Sequence, residues 1–404
     1  MAWLSLILFE KVIDFAPDIE LPFGCKAFGA GLTCRNKKNW LQSWINDFKE
    51  FEALLVLAGS LTAEVEGISA AGSTAASRRY TAVADAELLL NGPLESRCFP
   101  LPPLPAGVSP ALISYVASRF VGVSPLVLAV GLHQTPSFPY LCLELPIDGP
   151  AACLSTGHAM RDERVESLWK KGFSMGIKLR KPLLLAECVP GGTTTAQAVL
   201  TGLGISVSSL ISGSVLIPPI EIKTELVAKG LRASHLGLNP SPKKLLAAVG
   251  DPFQPVAAGL LLGARQAGQQ VLLGGGCQML AVLALALAEL NASLRSEFVE
   301  GIVLGTTAWL TDEGLTQDKS KSSLVRLLDI VGDHFGVGLV GMSSGLRFDT
   351  SRFEALRDYE KGYIKEGVGA GAFALLAQFH GASCKELVHD CEVFLEELLK
   401  RSTS

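Results

Sequence analysis

The chain has 404 residues, 49% hydrophobic and 18% charged, with a net charge of −4. So low a charge fraction excludes a disordered tail, and an acidic balance with no long basic block argues against a nucleic-acid binder. Nine cysteines without a CxxC pair exclude a zinc finger and a disulfide framework, leaving buried thiols in a reducing, cytoplasmic setting.

Residues 1–50 differ from the remainder of the chain. They hold Trp3, Trp40 and Trp44 and a helical stretch, NWLQSWINDFKEFE. The opening AWLSLILF is short, lacks a positive flank and runs into Glu10, so it does not read as a signal peptide. We treat 1–50 as an extension, expected to be helical, with no chemistry assigned.

From residue 53 short apolar runs alternate with helical segments: ALLVLAGS (53–60), PLVLAVG (125–131), PLLLAE (182–187), QVLLGGG (270–276) and GIVLGTT (301–307). Fully apolar strands alternating with amphipathic helices, such as VESLWKKGFSMGIKL and EIKTELVAKGL, predict an α/β fold. Its sheet is mostly parallel, Rossmann-like, with helices on both faces. Ligands in such sheets bind at the carboxyl ends of the strands, where the glycines cluster here. The expected division is 51–349 as nucleotide-binding core and 350–404 as a C-terminal helical segment packed on it. Residues 94–110, rich in proline, read as a connector, and 311–323 as a polar loop. The uncharged stretches 188–220 and 266–288 are long enough for a bilayer but are broken by glycine and proline turns, so no membrane span is predicted.

Three glycine segments carry candidate chemistry. Glu187-Cys188-Val189-Pro190-Gly191-Gly192-Thr193-Thr194-Thr195 joins an apolar strand to an apolar helix. Its glycines admit a ligand to the backbone, and free helix N–H groups and Thr hydroxyls suit a phosphate. An ordinary glycine-capped turn explains the same residues. It is not a P-loop, since the Lys of that motif is missing. Gly274-Gly275-Gly276-Cys277-Gln278-Met279 is a second such turn, fitting a ligand loop or simple close packing. In Lys365-Glu366-Gly367-Val368-Gly369-Ala370, Glu366 stands at the mouth of an apolar helix. There it serves either as a general base with a raised pKa or as a first-turn acid complementing the helix dipole. The six histidines have no metal-ligand spacing, and no G-x-S-x-G elbow exists.

Taken together and in order, GISAAGST (67–74), YTAVADAEL (80–88), STGHAM (155–160), AECVPGGTTTAQAVLTGLG (186–204), KTELVAKGL (223–231), VGDPFQPVAAGLLLGA (249–264), VLLGGGCQMLAVLAL (271–285) and YIKEGVGAGAFAL (363–375) are similar to the nicotinate-nucleotide:dimethylbenzimidazole phosphoribosyltransferase family. The chain resembles a divergent branch of it over about 53–385. The resemblance implies a Rossmann-like α/β domain with a small helical domain, usually as a homodimer. The implied reaction moves phosphoribose from nicotinate mononucleotide to an aromatic base in cobamide assembly, with no metal or other cofactor. By that resemblance Glu366 is the catalytic base, in a segment where Val368 replaces a Thr. Glu187, Gly191, Gly192, Thr193, Thr194, Lys223, Gly275, Gly276, Gln278, Gly367 and Gly369 bind substrate or phosphate. Gly192 stands for an Asn, and the Asp and Ser of the family's Asp-Gly-Phe-Ile-Ser-Thr turn are absent from 274–279. These replacements leave the acceptor base open. A non-catalytic homologue that binds a nucleotide or corrinoid precursor is the competing reading. Keeping both Glu366 and Lys223 argues against it.

Overall fold

Each of the five apolar runs becomes a strand because both of its faces are covered. The computed structural model describes residues 21–32, 40, 43–44, 50–207, 209–211, 213, 215–315 and 321–402; most of the helical stretch expected around 39–52 lies outside them. Eight strands form one sheet: β1 (Lys26–Phe28), β2 (Glu52–Ala58), β3 (Leu126–Val130), β4 (Leu141–Cys142), β5 (Leu183–Cys188), β6 (Val271–Gly274), β7 (Ile302–Thr306) and β8 (Gly341–Ser343). Their spatial order is β1-β8-β7-β6-β5-β2-β3-β4. All neighbours pair in parallel except β1, which the N-terminal segment adds antiparallel to β8.

Alternation along the strands feeds two cores. Leu54, Val56, Leu183 and Leu185 point into one, and Leu55, Leu57, Leu184 and Ala186 into the other. The first core is closed by helices that include Asp162–Gly176, Gly192–Gly202, Phe253–Gln266 and Cys277–Glu289. The second is closed by Thr81–Asn91, Ala111–Val121, Ala370–Phe379 and Cys384–Ser402. The mostly parallel sheet with helices on both faces is therefore the expected fold. Part of the glycine excess serves packing. A Cβ on Gly172 would lie 2.2 Å from the Val256 carbonyl oxygen, and one on Gly259 2.2 Å from that of Trp169. The two helices thus touch backbone to backbone. No helix among the described residues is long and apolar enough to cross a membrane.

The chain runs from β2 outward to β3 and β4, then returns to place β5 on the other side of β2. That reversal opens a crevice at the carboxyl ends of β2 and β5, where doubly wound sheets bind ligands. One expectation fails nearby. The C-terminal segment is expected to be helical from residue 350, but between there and Gly367 only Glu354–Arg357 is helical. Beyond Gly362 the chain turns through Ile364 and Lys365, both with positive φ (65° and 63°).

Candidate active site

A cavity of about 600 Å³ lies at this reversal. It brings together Glu187, Gly191, Gly192, Thr193, Lys223, Gln278, Glu366 and Gly367, eight of the twelve residues expected at the site. Thr194, Gly275, Gly276 and Gly369 are not on its wall. The Thr194 hydroxyl is buried without a hydrogen-bond partner among the described residues. A Cβ on Gly369 would come within 2.7 Å of the Ala186 Cβ, so packing accounts for that glycine.

β5 delivers Glu187 and Cys188 to the cavity, and the chain then turns at Gly191, whose φ of 76° is left-handed. The turn uses the N–H groups of Gly192 and Thr194, which donate to Val189 O and Gly191 O at 2.9 Å each. Thr193, in the first helical turn, keeps a backbone N–H with no intrahelical acceptor. Its hydroxyl accepts from Lys223 Nζ at 2.9 Å. Lys223 comes from the helix Ile220–Ala233, is 1% exposed, and has its pKa lowered mainly by burial, with Lys365 adding repulsion. Thr195 Oγ1 donates to Asp251 Oδ2 at 2.5 Å, while Asp251 Oδ1 accepts from the N–H groups of Phe253 and Gln254. Asp251 thus ties the start of one helix to the loop of another and positions the loop from outside the cavity. An added methyl at Gly191 would meet Ala63 Cα at 2.9 Å in a backbone conformation that L residues disfavour. Gly191→Ala is expected to lower stability by about 1–2 kcal/mol, read as a lower denaturation midpoint, and to weaken nucleotide binding. An unchanged midpoint would show that the loop relaxes freely.

Glu366 lines the same cavity. Its Oε2 accepts from the Thr307 N–H (3.0 Å) and the Thr306 hydroxyl (3.2 Å), and its Oε1 from the N–H groups of Gly367 (3.1 Å) and Gly371 (3.2 Å). The bonds Lys365 N to Tyr363 O and Glu366 N to Ile364 O close two successive γ-turns on residues of positive φ. Val368 is also left-handed, at 54°. Strain of this kind, on β-branched residues, concentrates where a side chain must be aimed. Burial raises the Glu366 pKa to about 7 against the pull of all four donors. Burial likewise raises Glu187 to about 7, with Gln278 lowering it and Asp251 and Glu366 raising it further.

Three wall elements carry no site assignment from the sequence. The Pro-rich segment, expected to be a connector, lines the cavity with Leu101, Leu104, Val108 and Pro110. Arg78 lies in the wall and donates to the carbonyls of Ala63, Gly72, Ser69 and Val65. Asp85, raised by burial to about 6, accepts from the Ser109 hydroxyl at 2.7 Å. The signal available is the charged pattern inside YTAVADAEL, two acids, Asp85 and Glu87, on an otherwise mostly apolar helix. A second cavity, of about 610 Å³, is lined by residues of the STGHAM segment. Its Arg161, Arg164 and Lys244 are paired with Asp148, Glu144 and Asp162 at 2.6–3.0 Å, so it holds little uncompensated charge for an anion.

Asp85, Asp251, Glu187 and Glu366 all have pKa values raised in the folded chain, to about 6, 6, 7 and 7. The folded state therefore holds these protons more tightly than the unfolded chain. Their contribution to stability is full below about pH 4, the ordinary carboxylate range, and is lost as pH rises through 6 and 7. The melting temperature of the unliganded protein is expected to fall by several degrees between pH 5 and pH 8, at roughly 1 °C per kcal/mol for a chain of this length. A rise over that interval would mean that these acids ionise without penalty.

Comparison with known proteins agrees with the fold. Residues 111–301 match a family model described as phosphoribosyltransferase. The UPF0284 protein of Prochlorococcus marinus strain MIT 9313 is 60% identical over 389 residues, covering 96% of each chain. That of Parasynechococcus marenigrum strain WH8102 is 56% identical over 383 residues, 95% of this chain and 96% of its own. Among solved structures, CobT from Thermus thermophilus superposes with a TM-score of 0.55 at 19% identity over 84% of both chains. A nicotinate-nucleotide-dimethylbenzimidazole phosphoribosyltransferase from the same organism gives 0.53 at 18% identity, over 86% of this chain and 83% of its own.

Proposed function

Given that the chain belongs to the UPF0284 branch of the phosphoribosyltransferase family, we propose that it transfers 5-phosphoribose from nicotinate mononucleotide to an aromatic nitrogen base. The acceptor is dimethylbenzimidazole or a related heterocycle, and the product an α-linked ribotide for cobamide assembly. One observation carries this reading: a single cavity is lined by the Gly191–Thr193 turn, by Lys223 and by the half-buried carboxylate of Glu366.

The chemistry needs these parts. The Thr193 N–H and the Lys223 ammonium hold the phosphate, and this anchors the ribose. The base's unprotonated ring nitrogen attacks C1′ in line as the bond from C1′ to the nicotinate ring nitrogen breaks. The pyridinium takes that electron pair and leaves as nicotinate. A single in-line displacement inverts C1′, so a β-nucleotide yields an α-ribotide. The acceptor's N–H proton passes to Glu366, whose pKa near 7 matches general-base work at neutral pH. Thr306 supplies the adjustable partner. When the carboxylate takes the proton, the Thr306 hydroxyl can rotate and accept it, whereas the three backbone N–H donors cannot turn.

The test is to mix the protein, nicotinate mononucleotide and a panel of benzimidazoles and purines, and to follow nicotinate release and ribotide mass. Ribotide with stoichiometric nicotinate supports transfer. Nucleotide binding without nicotinate release for any base would place the chain with the non-catalytic binders.

A further inference from the structure

Resting on that transferase reading, we infer that Asp85 is a specificity-determining residue: the acceptor is a heterocycle with a second N–H or amino donor, besides the ring N–H it surrenders, and Asp85 receives it. Asp85 lies on the helix Thr81–Asn91, is buried, and lines the cavity. Its Oδ1 accepts from Ser109 at 2.7 Å. Its Oδ2 meets the Cys188 thiol at 3.8 Å, a weak donor at long range. Among the described residues no ion pair engages it. Arg97, the cation that acts on it, sits 3.8 Å from Glu87 instead.

The surroundings point the spare oxygen at an acceptor base. Leu101, Leu104, Val108, Pro110 and Ile364 make this wall apolar, suited to a flat ring. Ser109, which holds Asp85, precedes Pro110, and Pro110 packs on Gly367; a Cβ there would stand 2.9 Å from Pro110 Cγ. Asp85 and Glu366 therefore belong to neighbouring stretches of one wall. A ring presenting its N–H to Glu366 lies within this apolar wall, with a further edge free to meet Asp85. Ser109 needs only one carboxylate oxygen. A second buried oxygen without a strong donor is costly unless a ligand satisfies it. A site built to accept from a substrate N–H also rejects an analogue lacking it.

The matched probes are benzimidazole and 4-aminobenzimidazole, with binding read by calorimetry. The wild-type protein is expected to bind the amino compound about tenfold or more tightly. In Asp85→Ala that ratio should fall to within about twofold, with benzimidazole affinity little changed. Asp85→Asn, which keeps the shape and the Ser109 contact, guards against a folding defect; its NH₂ would replace the free oxygen and meet the amino group donor against donor, so the preference should be lost or reversed. Equal affinity in the wild type, or a preference that survives in both variants, overturns the inference. Ribotide formation is scored separately. Preference without nicotinate release defeats the transfer reading and leaves Asp85 standing; ribotide from both bases without preference does the reverse.

Discussion

Glu366→Gln is expected to lower turnover roughly 10²–10⁴-fold, the usual worth of general-base catalysis, while nicotinate mononucleotide still binds. The structure adds a second consequence. Each oxygen of Glu366 accepts two hydrogen bonds, with backbone N–H groups on both sides. A glutamine can offer its single oxygen to only one side. Its NH₂ then faces either Thr307 N–H or the Gly367 and Gly371 N–H groups, donor against donor. Leaving a buried donor unmet costs about 1–3 kcal/mol, so the melting temperature should drop as well. Reading turnover below that lowered midpoint separates the two effects. Near-normal turnover in the folded variant would remove Glu366 from the proton transfer.

Lys223→Met should raise the Michaelis constant for nicotinate mononucleotide roughly 10–150-fold, the range of a charged hydrogen bond, with a smaller change in turnover. Methionine fills the space of the lysine stem without its charge. Nicotinate riboside, which lacks the phosphate, isolates the contact: its already weak use by the wild type should be unaffected by the substitution. Equal losses for nucleotide and riboside would mean that the ammonium organises the Thr193 turn and does not meet the phosphate. Burial has already lowered the Lys223 pKa, and a phosphate dianion would stabilise the charged form. Binding should therefore be accompanied by proton uptake at high pH, measurable as a buffer-dependent heat.

Much of the fold can be read directly. The five long strands are uninterrupted apolar runs, because a parallel strand is covered on both faces and has no polar side to show. The Gly191–Thr193 turn and Glu366 are visible because strand-to-helix turns that approach a ligand need glycine, and because an acid before an apolar helix is out of place. The short strands β1, β4 and β8 are not visible. Two or three residues carry no periodicity, and β1 and β8 pair only across a long stretch of chain: Ala27 is opposite Met342. The turns after Glu354–Arg357 are hidden too, since Ile364 and Lys365 are ordinary helix or strand residues whose type does not announce the positive φ they adopt.

By itself, then, the sequence determined the layer architecture and the positions of the glycine turns. These are local properties, written in hydrophobic period and in residues with special backbone freedom. The tertiary structure alone decided which groups share a cavity. It turned a Pro-rich connector into a wall, set Asp85 beside Ser109, and aimed the N–H groups of Thr307 and Gly371 at one carboxylate. It also raised the pKa of that carboxylate. Desolvation depends on every atom that excludes water, and those atoms come from strands, loops and helices scattered over some three hundred positions of the chain.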